Sequence, residues 1–294
     1  MTDTKSFWVS VLLILSVVVS HGQVPDNFKK DGGSEFPSEL IYKVVGEDSL
    51  KMVFHYPDNF KSSKRYPTII FFFGGGWNGG SIAQFENQAK YLAQRGMIAV
   101  LADYRVKKRQ GTTPFEAVQD AKTAVRFLRK NAKKLNIKEK KIVGAGGSAG
   151  GHLAAATATI QGLNEPGEDT SISSVPNALV LFNPVIDNGP GGYGYERIGD
   201  RYEEISPLHN IRKGMPPTIV FQGTADHLIP VTTAELFKEK MEAVGSRSEL
   251  FLYEGQKHGF FNKNKSEEHY HLTLKETERF LESIKYIKKT EGRK

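Results

Sequence analysis

The chain has 294 residues, of which 39% are hydrophobic and 25% charged, so it has enough apolar material for one large core. It contains no cysteine, which excludes a disulfide-stabilised scaffold and a lipid anchor on an N-terminal cysteine. The formal net charge is +7, but no nucleic-acid-binding motif accompanies it. The simpler interpretation is that the basic residues lie on solvated helix faces. The alternative is that they attract an anionic polysaccharide or a membrane.

The N-terminus has the pattern of an export signal. Lys5 precedes an apolar run over residues 7–19, which is short for a membrane span, and the small residues Ser20 and Gly22 follow it. This pattern predicts a signal peptide over residues 1–22 and hence a secreted or periplasmic protein with no membrane anchor after cleavage. An uncleaved N-terminal anchor is the alternative. Residues 23–37 are polar and predict a leader, and residues 38–294 predict one domain.

The domain alternates predicted strands with predicted helices. Leu50, Met52 and Phe54 alternate with other residues and predict a half-exposed strand near a sheet edge. Apolar runs predict further strands over residues 68–73, 97–104, 141–144, 178–182, 218–222 and 249–253. Helical spacing predicts helices over residues 83–94, 114–136, 149–160, 232–243 and 267–288. This order predicts an α/β fold with a mostly parallel sheet covered by helices on both faces, and functional residues at the carboxyl ends of its strands.

A candidate nucleophile lies between the strand that ends at residue 144 and the helix that begins at residue 149. The pentapeptide Gly146-Gly147-Ser148-Ala149-Gly150 matches the Gly-x-Ser-x-Gly pattern, in which a tight turn presents the serine hydroxyl above the sheet. The glycines avoid steric overlap between the helix and the strand. A glycine-rich packing turn is the alternative, whereas a phosphate-binding loop lacks its Lys-Ser/Thr pair.

A run of three glycines follows the first buried strand, in Phe73-Gly74-Gly75-Gly76-Trp77. Acyl transfer requires backbone N–H groups that point at the oxygen of the tetrahedral intermediate, and glycines allow a close approach of the backbone. The expected donors of this oxyanion hole are the amides of Gly75, Gly76 and Ala149. A flexible loop is the alternative.

The general base and its orienting acid are expected in loops after the last strands. His258 follows the strand that ends at residue 253, whereas His152 lies one helical turn after Ser148 and is better explained as a packed residue. Asp226 follows the preceding strand and keeps the order serine, acid, histidine; Asp187 also follows a strand and is the rival acid.

Taken together, these residues resemble the α/β-hydrolase superfamily, and within it the hormone-sensitive-lipase-like and acetyl-xylan-esterase-like carboxylesterases. The similarity covers about residues 41–285 and rests on Gly74-Gly75-Gly76-Trp77, Asp103-Tyr104-Arg105, the segment 146–153, Ser206-Pro207, Asp226 with Ile229-Pro230, and His258-Gly259-Phe260. One residue departs from the family pattern: Phe73 stands where the family usually has a histidine that helps to set the glycine loop.

The resemblance implies ester hydrolysis through an acyl-enzyme, with no metal and no organic cofactor. Substrate selection would fall to Trp77 and to a possible cap over residues 187–205 that carries Tyr193 and Tyr195. Trp77 and the tyrosines could equally be packing residues. The expected substrate is a small-molecule or oligosaccharide ester, with acetyl groups on carbohydrates favoured, and no nucleic acid is expected to bind. A prolyl-oligopeptidase-type peptidase and a non-catalytic glycan-binding protein of the same fold are the alternatives.

Overall fold

The computed structural model describes residues 36–289. The predicted signal peptide over residues 1–22 lies outside the described residues, as does the predicted leader apart from its last two positions. Among the helices of this described part, none combines the length and the apolar composition needed to cross a membrane.

A single sheet of eight strands forms the centre of the described residues. In chain order these are β1 (Glu39–Val45), β2 (Asp48–His55), β3 (Tyr66–Phe72), β4 (Ile98–Ala102), β5 (Ile137–Gly147), β6 (Ala178–Phe182), β7 (Thr218–Gly223) and β8 (Ser248–Tyr253). Their order in the sheet is β1-β2-β4-β3-β5-β6-β7-β8. Strands β1 and β2 pair antiparallel with their neighbours, and every pair from β4 onward is parallel. The prediction of a mostly parallel sheet is confirmed.

Helices cover both faces of this sheet, as predicted. The described helices are α1 (Glu86–Gln94), α2 (Lys107–Gln110), α3 (Pro114–Lys130), α4 (Ala149–Thr159), α5 (Tyr195–Ile198), α6 (Val231–Ala243) and α7 (Glu267–Ser283), with 3₁₀ turns over Ile82–Phe85, Gly199–Glu204 and Pro207–Asn210. Side chains alternate along a strand, so Ile70 and Phe72 pack on the face that holds α3, α4 and α6, while Ile69 and Phe71 pack on the face that holds α1 and α7.

The structure corrects several predicted element boundaries. The edge strand is β1, which the sequence analysis missed, and β2, predicted near a sheet edge, lies second from that edge. Strand β5 begins at Ile137 rather than at residue 141, because three exposed charged residues interrupt its apolar pattern. Helix α3 ends at Lys130 rather than near residue 136, because Asn131 leaves the helical conformation, with φ −97° and ψ +13°, and its Nδ2 donates to the carbonyl of Phe127 at 2.9 Å. Helix α7 ends at Ser283 rather than at residue 288.

A buried cluster of charges ties the edge strand to the rest of the domain. Asp120 of α3 accepts from Arg105 Nη2 at 2.7 Å and from Lys43 Nζ of β1 at 2.5 Å. Glu165 lies 2.6 Å from Lys43 Nζ and 3.2 Å from Arg105 Nη2. Each cation therefore faces two carboxylates, which is the arrangement that a buried charge requires to be stable.

Candidate active site

Ser148 occupies a strained turn between β5 and α4. Its φ of +53° and ψ of −121° lie in a region that a non-glycine residue rarely adopts. The close approach of the chain explains the flanking glycines: a Cβ on Gly146 would overlap the carbonyl oxygen of Gly150, and a Cβ on Gly150 would overlap that of Phe72. The turn projects Ser148 from the carboxyl end of β5, as the pentapeptide predicted.

The structure brings Ser148, His258 and Asp226 together in one hydrogen-bonded chain. His258 Nε2 lies 2.9 Å from Ser148 Oγ, and His258 Nδ1 lies 2.7 Å from Asp226 Oδ2. An ionised carboxylate can only accept, so Nδ1 carries the proton and donates to Asp226. Nε2 is then left as the acceptor for the Ser148 hydroxyl. This is the arrangement in which an imidazole can take a proton from serine.

The Asp226 carboxylate is held in its charged form by several donors. Burial by itself raises its pKa, but the hydrogen bond and charge of His258 and the amides of Leu228 and Ile229 outweigh burial, so the pKa is lowered. The two amides donate to Oδ1 at 2.9 and 3.0 Å, and Gln222 Nε2 donates to Oδ2 at 3.2 Å. The carboxylate therefore stays ionised at neutral pH and keeps the imidazole oriented.

The rival acid, Asp187, lies elsewhere. Its Oδ1 is 3.8 Å from Nδ1 of His209 and accepts from the amide of Gly189 at 2.9 Å. It therefore belongs to the segment after β6, and the geometry favours Asp226 as the partner of His258.

The loop that carries His258 is supported by Asn183, a residue that the sequence analysis did not single out. The amide of Gly259 donates to Asn183 Oδ1 at 2.9 Å, and Asn183 Nδ2 lies 3.4 Å from His258 Nε2. Asn183 is fully buried directly after β6, with a φ of +34°. A polar residue with a proline after it, at the carboxyl end of a buried strand, was the available signal.

The glycine loop lies beside Ser148 and leaves its amides free. A Cβ on Gly74 would lie 3.3 Å from the Cβ of Ser148, and Gly75 and Gly76 have φ values of +133° and +60°. Within residues 36–289, the amides of Gly75, Gly76 and Ala149 donate no hydrogen bond to a protein acceptor. Donors without acceptors next to a nucleophile are what an oxyanion hole requires.

Gln84 supports the glycine loop, in which Phe73 stands in place of the family's usual histidine. Its Oε1 accepts from the Gly74 amide at 2.6 Å, and its Nε2 donates to Asn262 Oδ1 at 3.1 Å. Asn262 Nδ2 in turn donates to the carbonyl of Gly259 at 2.8 Å, next to His258. Gln84 and Asn262, which lie 178 positions apart in the sequence, thus join the glycine loop to the loop that carries His258. No local pattern indicated this link.

Phe73 has a packing role instead of a polar one. Its ring is buried and stacks on Tyr104 with centroids 4.1 Å apart, and the Tyr104 hydroxyl donates to the Phe73 carbonyl at 2.7 Å. The departure from the family pattern is therefore compensated by aromatic packing beneath the loop and by Gln84 above it.

The three predicted substrate-binding aromatics occupy different environments. Trp77 is 2% exposed, and its ring packs against His152 and Tyr193, so it is mainly a core residue. The Tyr193 hydroxyl lies 2.8 Å from where a Cβ on Gly76 would stand, which places it against the glycine loop. Tyr195 turns away, because its hydroxyl donates to Asp200 at 2.8 Å.

The segment over residues 187–205 is fastened to the glycine loop by a charged side chain. Arg197 Nη1 donates to the carbonyl of Gly76 at 2.6 Å, and its guanidinium lies over the rings of Trp77 and Tyr193. His152 holds the far end, since its Nε2 lies 3.0 Å from the carbonyl of Ile205. The predicted packing role of His152 is confirmed.

In the described residues no cluster of three or more histidine, aspartate or glutamate side chains could hold a metal ion.

His152 should make the protein sensitive to acid. Burial lowers its pKa to about 4, against 6.5 in the unfolded chain. The unfolded state therefore binds the proton more strongly, so this contribution to stability is present above pH 6.5 and is lost as the pH falls toward 4. Between pH 7.5 and 5.0 we expect wild type to lose about 2 kcal/mol more unfolding free energy than His152→Gln, measured by urea titration. The exposed His271→Gln should follow wild type, and equal pH slopes for all three proteins would refute this role.

Comparison with known proteins identifies the family. Two family models match, BD-FAE over residues 53–189 and the dienelactone hydrolase family over residues 182–288. The native structure of esterase 2 from Thermogutta terrifontis is 43% identical, over 87% of this chain and 94% of that chain, with a TM-score of 0.82. The chain belongs to the carboxylesterases of the α/β-hydrolase superfamily.

Structures of the same esterase phosphorylated by paraoxon, with propionate bound and with butyrate bound are 42–43% identical, over 86% of this chain and 95–96% of theirs, with TM-scores of 0.81–0.82. Esterase LipC of Mycobacterium tuberculosis is 30% identical over 243 residues, 74% of this chain and 59% of that protein. Endo-1,4-beta-xylanase B of Butyrivibrio fibrisolvens is 29% identical over 177 residues, 56% of this chain and 28% of that protein. The chain spans 45–59% of the length of the mycobacterial and plant esterases that it matches.

Proposed function

We propose that this carboxylesterase hydrolyses esters of short acyl groups through an acyl-enzyme on Ser148, and that acetyl groups on carbohydrates are its substrates. The observation that carries the proposal is the chain of hydrogen bonds from Ser148 through His258 to Asp226, at 2.9 and 2.7 Å, beside three amides that have no acceptor among the described residues. A nucleophile, a base, an ionised orienting acid and oxyanion donors are the complete set that acyl transfer requires.

The reaction follows from this geometry. Ser148 Oγ attacks the ester carbonyl while His258 Nε2 takes its proton, and the carbonyl oxygen becomes an oxyanion bound by the amides of Gly75, Gly76 and Ala149. Collapse of this intermediate breaks the bond to the alcohol oxygen, which leaves with the proton from His258. Water then attacks the acyl-enzyme, His258 takes the proton of the water, and the acid is released as Ser148 recovers its proton. Asp226 remains ionised throughout and stabilises the imidazolium.

The substrate class is inferred from the walls of the site and from the relatives. Tyr193 and Arg197 lie against Gly76 of the glycine loop, and we expect them to limit the length of the acyl chain. The Thermogutta esterase binds propionate and butyrate, both short acids. The match to a xylanase of Butyrivibrio supports a polysaccharide that carries the ester. Tyr195 and Tyr202 pack against each other on the segment over residues 187–205, away from the glycine loop, where the more distant sugar rings of a polymeric substrate could stack.

The test compares acyl length and alcohol in one set of assays. We expect kcat/KM to be highest for p-nitrophenyl esters of two to four carbons, and acetate to be released from acetylated xylo-oligosaccharides. Cleavage of aminoacyl-proline reporters without cleavage of acetyl esters would replace the proposal with a peptidase. Glycan binding with no turnover and no labelling by a fluorophosphonate would replace it with a binding protein. Hydrolysis of nitrophenyl acetate without release of acetate from any oligosaccharide would remove the carbohydrate part alone.

Gln84 provides a test of how the oxyanion loop is held. In Gln84→Ala the Gly74 amide loses its acceptor and the link to Asn262 is broken, so the neighbouring donors should shift relative to Ser148. Because a displacement of about 1 Å at a reacting centre costs about 10²-fold in rate, we expect kcat for p-nitrophenyl acetate to fall by about 10–100-fold with little change in KM.

The matched control for this change is Gln94→Ala, at an exposed position on α1, which should retain wild-type kcat. A rise in KM with unchanged kcat in Gln84→Ala would show that Gln84 affects substrate binding and not the geometry of the oxyanion loop.

A further inference from the structure

Basic side chains gather at the end of the sheet opposite Ser148. Strands β3 to β8 are parallel, so the segments that precede them meet at one edge, and the C-termini of α3 and α7 end there too. Ten exposed side chains from three segments define what we call the basic edge: Lys61, Lys64, Arg65, Lys130, Lys133, Lys138, Lys140, Lys285, Lys288 and Lys289.

Contacts between the three segments show that the basic edge is continuous. Asn136 Nδ2 donates to the carbonyl of Lys64 at 2.7 Å, which joins the loop before β3 to the start of β5. Lys141 Nζ donates to the carbonyl of Lys285 at 2.6 Å, which joins β5 to the segment after α7. The charges therefore form one surface.

The basic side chains of this edge lack ion pairs with any described residue. Elsewhere on the described surface some lysines pair with carboxylates, as in Lys51–Glu39 at 3.0 Å, Lys90–Glu86 at 3.0 Å and Lys238–Glu242 at 2.8 Å, and other exposed lysines, such as Lys107, Lys213 and Lys275, do not. Within residues 36–289 none of the ten side chains of the basic edge makes a direct ion pair. The dipole of a helix accounts for a lysine near a helix end, but not for residues on a strand or in a loop.

Few carboxylates offset these charges. Glu139 is the one acidic residue between positions 130 and 141, and it is exposed. The pKa of Asp169 is lowered mainly by hydrogen bonds from Ser171, and the charge of nearby Lys130 lowers that pKa further by a smaller amount. The surface therefore keeps a large uncompensated positive charge, which attracts polyanions.

The shape of the basic edge favours a flexible chain over a flat membrane. An open cavity of about 780 Å³ lies beside it, and its lining includes the basic residues Arg129, Lys130 and Lys140, one carboxylate, Glu139, and the polar residues Ser171, Ser173 and Asn177. A planar bilayer cannot fill a concave site, whereas a saccharide chain can place anionic groups and hydroxyls in it. The exposed large apolar residues of the described chain, Leu228, Leu236, Leu252 and Leu272, lie outside the basic edge and cannot anchor it in lipid.

We propose that the basic edge is a binding surface for an anionic polysaccharide, one that carries sulfate or uronate groups. The surface lies at the amino ends of the parallel strands, and Ser148 lies at their carboxyl ends. A chain bound there leaves the catalytic site open to esters on the same or a neighbouring polymer. The binding depends on charge and not on ester hydrolysis, so it stands or falls independently of the proposed function.

The test measures dissociation constants for dextran sulfate and for neutral dextran at 0.1 M NaCl. Two triple variants remove the same charge: Lys133→Gln/Lys138→Gln/Lys140→Gln on the basic edge, and Lys51→Gln/Lys90→Gln/Lys238→Gln at paired lysines elsewhere. We expect wild type and the paired-lysine variant to bind dextran sulfate equally, the basic-edge variant to bind about ten-fold more weakly, and none to bind neutral dextran. Binding of wild type should weaken as salt is raised.

Hydrolysis of p-nitrophenyl acetate, measured in parallel, should be unchanged in both variants, which separates this surface from the catalytic site. Equal weakening in the two variants would overturn the proposal, since only net charge would then matter. Binding to phosphatidylserine vesicles without binding to dextran sulfate would overturn it in favour of a membrane surface. Absence of binding by wild type would overturn it outright.

Discussion

Replacing Ser148 with alanine should lower kcat for p-nitrophenyl acetate by about 10⁵–10⁶-fold. The change removes the nucleophile but leaves the turn, the oxyanion amides and the pair of His258 with Asp226 in place. Without Oγ the proposed acyl-enzyme cannot form, and any remaining rate would come from substrate binding and from the amides of the proposed oxyanion hole. The comparison is made at saturating ester, with the product measured by absorbance.

The fold should tolerate this change, because alanine differs from serine by one oxygen and faces the same steric limits at the φ of +53° that Ser148 adopts. Unfolding free energy close to that of wild type would therefore accompany the loss of activity. Ser63→Ala, at an exposed position in the loop before β3, is the matched control and should retain full activity. If Ser148→Ala released nitrophenol at the rate of this control, another nucleophile would have to be sought.

Replacing Asp120 with asparagine should cost about 3–5 kcal/mol of unfolding free energy. The Asp120 side chain is fully buried and accepts from the backbone amide, Nε and Nη2 of Arg105 and from Lys43 Nζ. The amide has nearly the same shape but no charge, so two buried cations would share Glu165 alone. The expected result is a lower midpoint in urea with an unchanged slope.

The matched control is Glu204→Gln, which breaks an exposed pair with Arg201 of 2.7 Å. Exposed pairs contribute little, so this change should leave the midpoint in urea close to that of wild type. If Asp120→Asn lowered the midpoint in urea no more than Glu204→Gln does, Lys43 and Arg105 would be adequately paired without Asp120. The cluster would then not stabilise the edge strand.

Several features of the site could be predicted from short stretches of the chain. The Gly-x-Ser-x-Gly pentapeptide indicates the turn at Ser148 because only small residues permit the approach of α4 to β3. The buried strands were indicated by continuous apolar runs, since a strand covered on both faces has no polar side. The order of strand ends was enough to select His258 and Asp226, because parallel strands bring the loops after them to one edge.

Other features depend on contacts between distant parts of the chain, which no local pattern encodes. Strand β1 was missed because its buried Lys43 looks like a surface residue until Asp120, 77 positions away, pairs with it. Gln84 and Asn262 support the loops of the site across 178 positions, and each alone looks like an ordinary polar residue. Likewise the sequence showed a net charge of +7 without showing where it lies.

The sequence by itself therefore determined the strands from β2 to β8, the turn at Ser148 and the chemical groups of the site, since each depends on side-chain periodicity or on steric limits within a few residues. Only the tertiary structure decided what supports the loop after Phe73, which way Tyr193 and Tyr195 face, and that the lysines gather opposite Ser148. These depend on which distant segments meet at each edge of the sheet, and that is set by packing of the whole domain.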